Sequence, residues 1–158
     1  MSDKMEARQL GGWLILVGIG IVVSPFKISL LIYNTYPELF NVDIWRTLTS
    51  PESAHYNPFW APFIFTELAI NCSLVLGWLV IGYKFFLRRQ GFPKWYIGIA
   101  LFTLVFIFLD ALALKLILPD EPLFNKNTST EFIRSLIMVL IWVPYMLFST
   151  RVKATFVR

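Results

Sequence analysis

The sequence predicts an all-α membrane protein in which four transmembrane helices form one domain over residues 1–158. Of its 158 residues, 57% are hydrophobic and only 15% are charged, a balance outside the range of soluble domains. Four apolar runs are each long enough to cross a hydrocarbon layer about 30 Å thick. The connections between them are at most about 25 residues long, which leaves no room for a separate soluble domain.

The charge balance and the single cysteine and histidine exclude several kinds of site. The formal net charge is +4, but the basic residues cluster at the ends of the apolar runs, which indicates membrane topology rather than nucleic-acid binding. One cysteine, Cys72, excludes an intrachain disulfide and a CxxC zinc motif. One histidine, His55, excludes haem ligation by two histidines of the chain. We therefore expect no cofactor, no metal and no nucleic-acid partner.

The first predicted span covers residues 12–33 and is interrupted by one charge, Lys27. Because the run is too long for the apolar region of a typical signal peptide, we expect an uncleaved helix. Pro25 removes a backbone donor just before Lys27 and should kink this helix. In the connection that follows, 34–57, the apolar positions of residues 43–48 fall on one helical face, which predicts a short helix in the membrane interface.

The second predicted span, residues 59–87, runs from an aromatic entrance to a basic exit. One carboxylate, Glu67, interrupts it. An ionisable side chain inside a span is costly in hydrocarbon, so Glu67 should face protein or water and have a partner. Asn71 lies one turn further along the same face, where it can hold the carboxylate by a hydrogen bond or through a water.

The third predicted span, residues 95–118, carries two charges, Asp110 and Lys115. A short basic turn precedes it, so the second and third spans should be antiparallel neighbours. Lys115 is displaced around the helix from Asp110, and we expect it to reach the outer surface or to meet Glu121.

The fourth predicted span, residues 131–149, carries Arg134 close to its start. The spacing of Thr128 and Glu131 is that of a capping box, which predicts that the helix begins there. Pro144 lies inside the span, and another kink is expected at that point.

The distribution of basic residues predicts the topology. Nine Lys and Arg residues flank one side of the predicted bundle and two flank the other, so both termini should be cytoplasmic. The basic tail carries Val152 and Phe156 one turn apart and is expected to lie on the membrane surface. The nine residues are Lys4, Arg8, Lys84, Arg88, Arg89, Lys94, Arg151, Lys153 and Arg158, and the two are Arg46 and Lys126.

A polar cluster is predicted inside the bundle. It consists of Lys27, Glu67, Asp110 and Arg134, with Asn71 in support. Depths estimated from a rise of about 1.5 Å per residue place all four charges in the outer half of the membrane. Each charge comes from a different helix, and two cations face two carboxylates, so every charge can find an opposite partner. Three roles stay open: ion pairs that fix the bundle, a pathway or pocket for an ion, a proton or a polar ligand, and a docking site.

No enzyme motif is present in the sequence, which contains no HExxH, no GxSxG and no cysteine–histidine arrangement typical of a nucleophile. We therefore predict no catalytic residue. The leading hypothesis is a non-enzymatic structural or accessory protein of the lipid bilayer that binds another membrane protein or a second copy of itself. The alternative is a small channel or transporter-like protein for an ion, a proton or a polar solute.

Several short motifs, most distinctive near the carboxyl end, are shared with a known family. They are Gly11-Gly12-Trp13-Leu14 with Pro25, Trp45-Arg46-x-Leu48-Thr49-x-Pro51, Tyr56-x-Pro58-x-Trp60-x-Pro62, Phe65-x-Glu67, Leu109-Asp110, Arg134-Ser135-Leu136-Ile137, Ile141-Trp142-x-Pro144-Tyr145 and Ser149-x-Arg151-Val152-Lys153-x-Thr155-Phe156-Val157. In these residues the chain resembles the YdgK-like family of bacterial membrane proteins, catalogued as domain of unknown function 2569. The resemblance implies a four-helix protein of the bacterial inner membrane and implies no activity.

Overall fold

A computed structural model describes residues 11–157, and every regular element in that range is an α-helix. Residues 1–10 and Arg158 lie outside the described range, and with them three of the basic residues used to predict topology. Within the range the helices are α1 (Trp13–Leu39), α2 (Val42–Thr49), α3 (Trp60–Phe86), α4 (Phe92–Ile117), α5 (Lys126–Phe148) and α6 (Thr150–Thr155).

Four of these helices, α1, α3, α4 and α5, are long and apolar enough to cross a membrane. The predicted all-α bundle of four spans is therefore confirmed. Two of the helices extend well beyond the predicted spans: α1 continues past residue 33 to Leu39, and α5 begins before residue 131, at Lys126. Apolar composition marks only the part of a helix that lies in hydrocarbon, whereas the backbone hydrogen bonds continue into polar sequence at its ends.

The start of α5 differs from the sequence prediction. The capping box at Thr128 and Glu131 is wrong, since the helix already begins at Lys126. The N-cap is Asn125, whose side-chain oxygen accepts a hydrogen bond from the backbone nitrogen of Thr128 at 2.9 Å. Glu131 therefore lies inside the helix, one turn before Arg134 and on the same face.

The short helix predicted in the first connection is confirmed as α2. Aromatic rings fix it against the start of α3. The ring of Trp45 lies 5.4 Å from that of Phe40 and 5.7 Å from that of Phe65, measured between centroids. These contacts hold the first connection close to the bundle.

The long helices pack in the order α1, α3, α4, α5, each alongside the next. Gly77 allows α3 and α4 to approach closely, since a Cβ atom there would clash with Cδ1 of Ile99. The first and last helices of this order, α1 and α5, make little contact with each other. An edge-to-face contact joins the rings of Trp13 and Trp142, whose centroids are 6.3 Å apart. We call the gap between α1 and α5 the α1–α5 seam.

The two ends of the bundle are built differently. The terminal half is the end where α1 begins, α3 turns into α4 and α5 ends, and the loop half is the opposite end. An apolar core fills the terminal half, with contributions from every long helix and from the tail. Its buried members are Leu14, Val17, Ile21, Trp78, Ile81, Phe85, Phe92, Tyr96, Met146, Val152 and Phe156.

The carboxyl-terminal tail is part of this core. The expectation that it lies on the membrane surface is wrong, because Val152 and Phe156 are only 1% and 5% exposed. The Phe156 ring stacks on that of Phe92 with centroids 4.3 Å apart. Two apolar residues one turn apart fit a buried helix face as well as a membrane surface, and packing at the end of the bundle decides between them. The tail therefore closes the terminal half.

Candidate functional site

A cavity of about 400 Å³ lies between the four long helices in the loop half. The five residues predicted to form a polar cluster all line it, namely Lys27 from α1, Glu67 and Asn71 from α3, Asp110 from α4 and Arg134 from α5. Such a volume has room for about a dozen water molecules and lies within the usual range for small-molecule sites, roughly 300–1,000 Å³. The structure thus brings the predicted residues together around a space rather than against one another.

The cavity has an exposed rim and a buried interior. Lys27, Glu131 and Arg134 are exposed and form its rim on α1 and α5. Two polar residues lie deep inside, since Asn71 is 6% exposed and Ser135 is 8% exposed. Because α1 and α5 hardly touch, the α1–α5 seam is the side on which the bundle is least closed.

The charged side chains at the cavity are not paired. Within residues 11–157, no basic nitrogen lies within 4.0 Å of a carboxylate oxygen, so neither Lys27 nor Arg134 forms an ion pair. The partly buried Glu67 and Asp110 instead interact electrostatically with each other and with Glu131. Three carboxylates and two bases give the cavity one formal negative charge in excess. The set of charges is therefore neither neutral nor pairwise matched.

One hydrogen bond organises the interior. The amide nitrogen of Asn71 donates to the hydroxyl oxygen of Tyr36 at 3.2 Å, and that hydroxyl also interacts with the Glu67 carboxylate. Tyr36 is 3% exposed and lies in the last turns of α1. Asn71 therefore supports Glu67 through Tyr36, whereas the sequence predicted a direct or water-mediated contact.

Two hydroxyl groups at the cavity lack a hydrogen-bond partner. Ser135 Oγ and Thr103 Oγ1 are both buried, and neither bonds to another described residue. Both side chains line the cavity, one from α5 and the other from α4. A hydroxyl in a span commonly bonds to the backbone carbonyl one turn earlier, as Ser24 does to Gly20 at 2.7 Å. Ser135 and Thr103 instead keep a buried hydroxyl without a hydrogen-bond partner among the described residues.

The cavity is closed toward the terminal half. Leu74, Trp78 and Met138 line its inner end, and Trp78 is also part of the apolar core. Below Trp78 the core residues Ile81 and Phe85 are 0% and 2% exposed. Such packing leaves no space for a continuous column of water through the described bundle. The cavity is therefore a pocket with one closed end.

Several polar residues at or beside the cavity were not predicted as part of the site, among them Glu131, Ser135, Thr103 and Tyr36. Glu131 precedes Arg134 by one turn, and Ser135 follows Glu131 by one turn, so their shared helix face was a usable signal. Tyr36 gave no such signal, because it lies beyond the apolar run that defined the first span.

Other polar groups lie outside this cavity. Lys115 does not line it, and its Nζ donates to the backbone carbonyl oxygens of Pro119 at 2.5 Å and Glu121 at 2.6 Å. Lys115 therefore contacts Glu121, which was one of the two outcomes predicted for it, but the contact is with the backbone carbonyl and not with the carboxylate. Among the described residues, no three His, Cys, Asp or Glu side chains are placed to hold a metal ion together.

Comparison with known proteins identifies a family and nothing more specific. A family model described as "Protein of unknown function (DUF2569)" matches residues 7–157, which is nearly the whole chain. No curated protein and no solved structure matches the chain. The chemistry of the cavity therefore has to be inferred from the residues of this chain.

Proposed function

Since this chain belongs to the DUF2569 family of proteins of unknown function, we propose its role from its own geometry. It is a multi-pass membrane protein that binds a small polar solute in the cavity of its loop half. This role is the transporter-like alternative raised by the sequence. One observation carries it: four helices direct charged and polar side chains to a shared cavity in which no ion pair forms among the described residues.

The absence of ion pairs in the described bundle supports the proposal over the structural alternative. Charges that fix helices in register do so through close contact, because an ion pair in a low-dielectric interior offsets its desolvation only with good geometry. Lys27 and Arg134 make no such contact with a described carboxylate. Ionisable groups inside a span that are not paired require a hydrated space, and a cavity of about 400 Å³ supplies one.

The closed inner end favours a binding site over an open channel. A channel needs a continuous polar path, whereas the core around Ile81 and Phe85 is apolar and fully packed. A transporter binds its solute near the middle of the membrane and opens to one side at a time. In this proposal the described conformation is the one closed toward the terminal half.

The proposal includes an orientation and a location. The turn between α3 and α4 carries Lys84, Arg88, Arg89 and Lys94 close together at the terminal half. Basic residues accumulate on the cytoplasmic side of membrane proteins, so we place the terminal half, and with it both termini, in the cytoplasm. The cavity then lies on the outer side. The family resemblance in the sequence supports the bacterial inner membrane as the location.

Thiol labelling in membranes tests whether the cavity is hydrated. In a Cys72→Ala background, Met138→Cys places a thiol at the inner end of the cavity, and Leu140→Cys places one about 3 Å further along α5 on a face that is 64% exposed. A small water-soluble maleimide reacts with the thiolate, which forms in water and not in hydrocarbon. We expect Met138→Cys to react and Leu140→Cys to stay unreactive.

The two variants control for each other, because they share a helix and nearly the same depth. A uniform failure of both thiols to react would mean that the cavity is dry, and the proposal would be abandoned. Equal reaction of both would mean that the helix is not embedded as described. Elution of both variants at the wild-type position on gel filtration establishes that they fold.

The accessory role predicted from the sequence, binding of another membrane protein or a second copy, stays a prediction. The aromatic group formed by the half-buried Trp45 with the exposed Phe40 and Phe65 is the natural place to test it, since aromatic residues are enriched at interfaces. Affinity purification from native membranes, with wild type compared with Trp45→Ala, should recover a membrane protein in a Trp45-dependent way if that role is correct.

A further inference from the structure

We propose that an anionic phospholipid binds at the terminal half, with one acyl chain in an apolar groove between α1 and α3 and its phosphate at the basic residues beside that groove. The groove has a volume of about 390 Å³. It is lined by six residues of α1, between Leu14 and Val23, and by Phe85 and Phe86 at the end of α3. None of these residues lines the polar cavity, so the inference does not rest on the proposed function.

A glycine shapes the groove. A Cβ atom at Gly18 would lie 3.0 Å from Cε1 and 3.2 Å from Cζ of Phe85, which is closer than ordinary van der Waals contact. The ring of Phe85 therefore packs directly against the backbone of α1. Because position 18 carries no side chain, the two helices leave a recess at this point, which the exposed ring of Phe86 also lines.

The polarity and the length of the groove fit an acyl chain. Every residue that lines it is apolar, and Ile15 and Ile19 are 54% and 55% exposed, so the groove opens toward the surroundings of the bundle. The stretch from Leu14 to Val23 is about 14 Å long at the rise of an α-helix. This length is close to half of a hydrocarbon layer about 30 Å thick, which is the depth that one leaflet supplies.

The charge of the terminal half favours an anionic headgroup. All eight acidic residues within 11–157 lie in the loop half, whereas the terminal half of that range carries six bases and no carboxylate. Basic pockets at the ends of membrane helices attract anionic lipid headgroups. The six bases are Lys84, Arg88, Arg89, Lys94, Arg151 and Lys153.

Arg151 brings one of these charges to the end of the groove on α1. Its Nη1 would lie 2.9 Å from a Cβ atom at Gly12 and 3.2 Å from one at Gly11. These two glycines directly precede the first turn of α1, which supplies Leu14 and Ile15 to the groove. Arg151 forms no ion pair with a carboxylate of residues 11–157. Its guanidinium group is therefore placed to receive an anion at this end.

Two further arginines lie at the same end of the groove on α3. Arg88 adopts a left-handed backbone conformation with φ 54°, and the backbone nitrogen of Arg89 donates to the carbonyl oxygen of Lys84 at 2.9 Å. The chain thus turns immediately after α3, and both arginines stay within three residues of Phe86. An arginine side chain binds a phosphate through two parallel hydrogen bonds. Both helices that form the groove accordingly have an arginine at its terminal end.

Native mass spectrometry of the purified full-length protein in detergent tests the inference. Phosphatidylglycerol is the anionic probe, and phosphatidylcholine with the same acyl chains is the probe without net charge. We expect one phosphatidylglycerol to bind at least about tenfold more tightly than phosphatidylcholine, because several bases attract only the anionic headgroup.

Ile19→Trp tests the groove, since the larger side chain would occupy the space of the acyl chain. It should weaken the binding of both lipids by at least about tenfold. Leu140→Trp is the matched control, because Leu140 is 64% exposed on α5, lies at a similar distance from the terminal end and does not line the groove. It should bind both lipids as the wild type does.

Arg151→Gln tests the headgroup site. It should weaken the binding of phosphatidylglycerol by about tenfold, which corresponds to the loss of one hydrogen bond to a charged group, and leave phosphatidylcholine unchanged. Arg46→Gln is the control, because Arg46 is an exposed arginine of α2 in the loop half. It should leave the binding of both lipids unchanged.

Three outcomes would overturn the inference. Equal binding of the two lipids to the wild type would mean that the headgroup is not selected. Equal binding by Ile19→Trp and Leu140→Trp would mean that the groove does not hold the chain. Displacement of phosphatidylglycerol by soluble glycerol phosphate would mean that the basic end binds a free phosphate and needs no lipid.

Gel filtration establishes that each variant folds. If Ile19→Trp does not elute at the wild-type position, Val22→Trp replaces it, because Val22 lies one turn further along the same groove and is 45% exposed. The polar cavity is tested separately by labelling of Met138→Cys, so failure of the lipid site would leave the proposed function standing.

Discussion

The two halves of the bundle use the same four helices in opposite ways. In the terminal half, side chains such as Leu14, Ile81 and Phe92 are completely buried, and the tail adds Phe156 to close the end. In the loop half, the helices enclose a cavity, and polar residues such as Asn71 and Ser135 are buried beside it. The terminal half is stabilised by apolar packing, whereas the loop half contains a cavity lined by charged groups.

This difference indicates where the stability of the bundle resides. Helices in a membrane associate through close packing, because lipid offers apolar side chains as good an environment as protein does. The terminal half provides that packing and anchors all four spans. In the proposed account, the loop half can keep unpaired charges because the bundle does not depend on them to hold together. Substitutions in the two halves should consequently have very different effects on stability.

The largest effect is expected in the terminal half. Phe92→Ala removes a ring that is 0% exposed and stacks on Phe156, and it should lower the free energy of unfolding by about 3–5 kcal/mol. The measurement is unfolding in mixed micelles by titration with denaturing detergent. Phe86→Ala is the control, because that ring is 57% exposed to the surroundings of the bundle and should change little.

A double-mutant cycle sharpens this prediction. Phe92→Ala and Phe156→Ala should together cost less than the sum of the two, by about 0.5–1.5 kcal/mol, because the two rings contact each other directly. If the two losses of unfolding free energy simply add, the rings do not contact each other. The tail would then not be packed in the core, and the terminal half would not be closed.

An intermediate effect is expected where α3 and α4 approach each other. Gly77→Leu places a side chain against Ile99 and should cost about 1–3 kcal/mol, since a packed interface does not accept extra volume without strain. Gly98→Leu is the matched control on α4, because a Cβ atom there meets nothing within 4 Å. Equal stability of the two variants in the same titration would contradict the close approach of these helices.

A smaller effect is expected from the hydrogen bond in the loop half. Tyr36→Phe removes the acceptor of the Asn71 amide and should cost about 1–2 kcal/mol, the usual penalty for leaving a buried donor unsatisfied. Tyr33→Phe on the same helix alters a ring that is 75% exposed and should be neutral. If both substitutions are neutral, the Asn71 amide does not depend on Tyr36 for a partner.

The sequence could predict the spans and the five cluster residues for a simple physical reason. Hydropathy locates each helix in the membrane, and a constant rise per residue converts sequence position into depth. Charges at similar depth on neighbouring antiparallel helices then meet. Lys27 and Asp110 are far apart in the chain and line the same cavity, which a similar depth in the bundle is enough to explain.

What escaped prediction depends on tertiary packing. Two charges at the same depth can contact each other or face a common space, and only the relative rotation and spacing of the helices distinguishes these cases. The sequence therefore predicted paired charges, whereas Lys27 and Arg134 have no carboxylate partner among the described residues. Tyr36 was missed because it lies past the end of the apolar run, and the tail was misplaced because Val152 and Phe156 fit either environment.

The stability of Glu67→Gln in detergent at neutral pH tests the central claim most directly. Because Glu67 has no basic partner and faces two other carboxylates, removal of its charge should leave the free energy of unfolding within about 1 kcal/mol of the wild type, or raise it slightly. A loss of about 3–5 kcal/mol would mean that Glu67 is half of a structural ion pair, since that is the cost of stranding a buried partner. In that case the charges hold the bundle together, and the cavity is not a binding site.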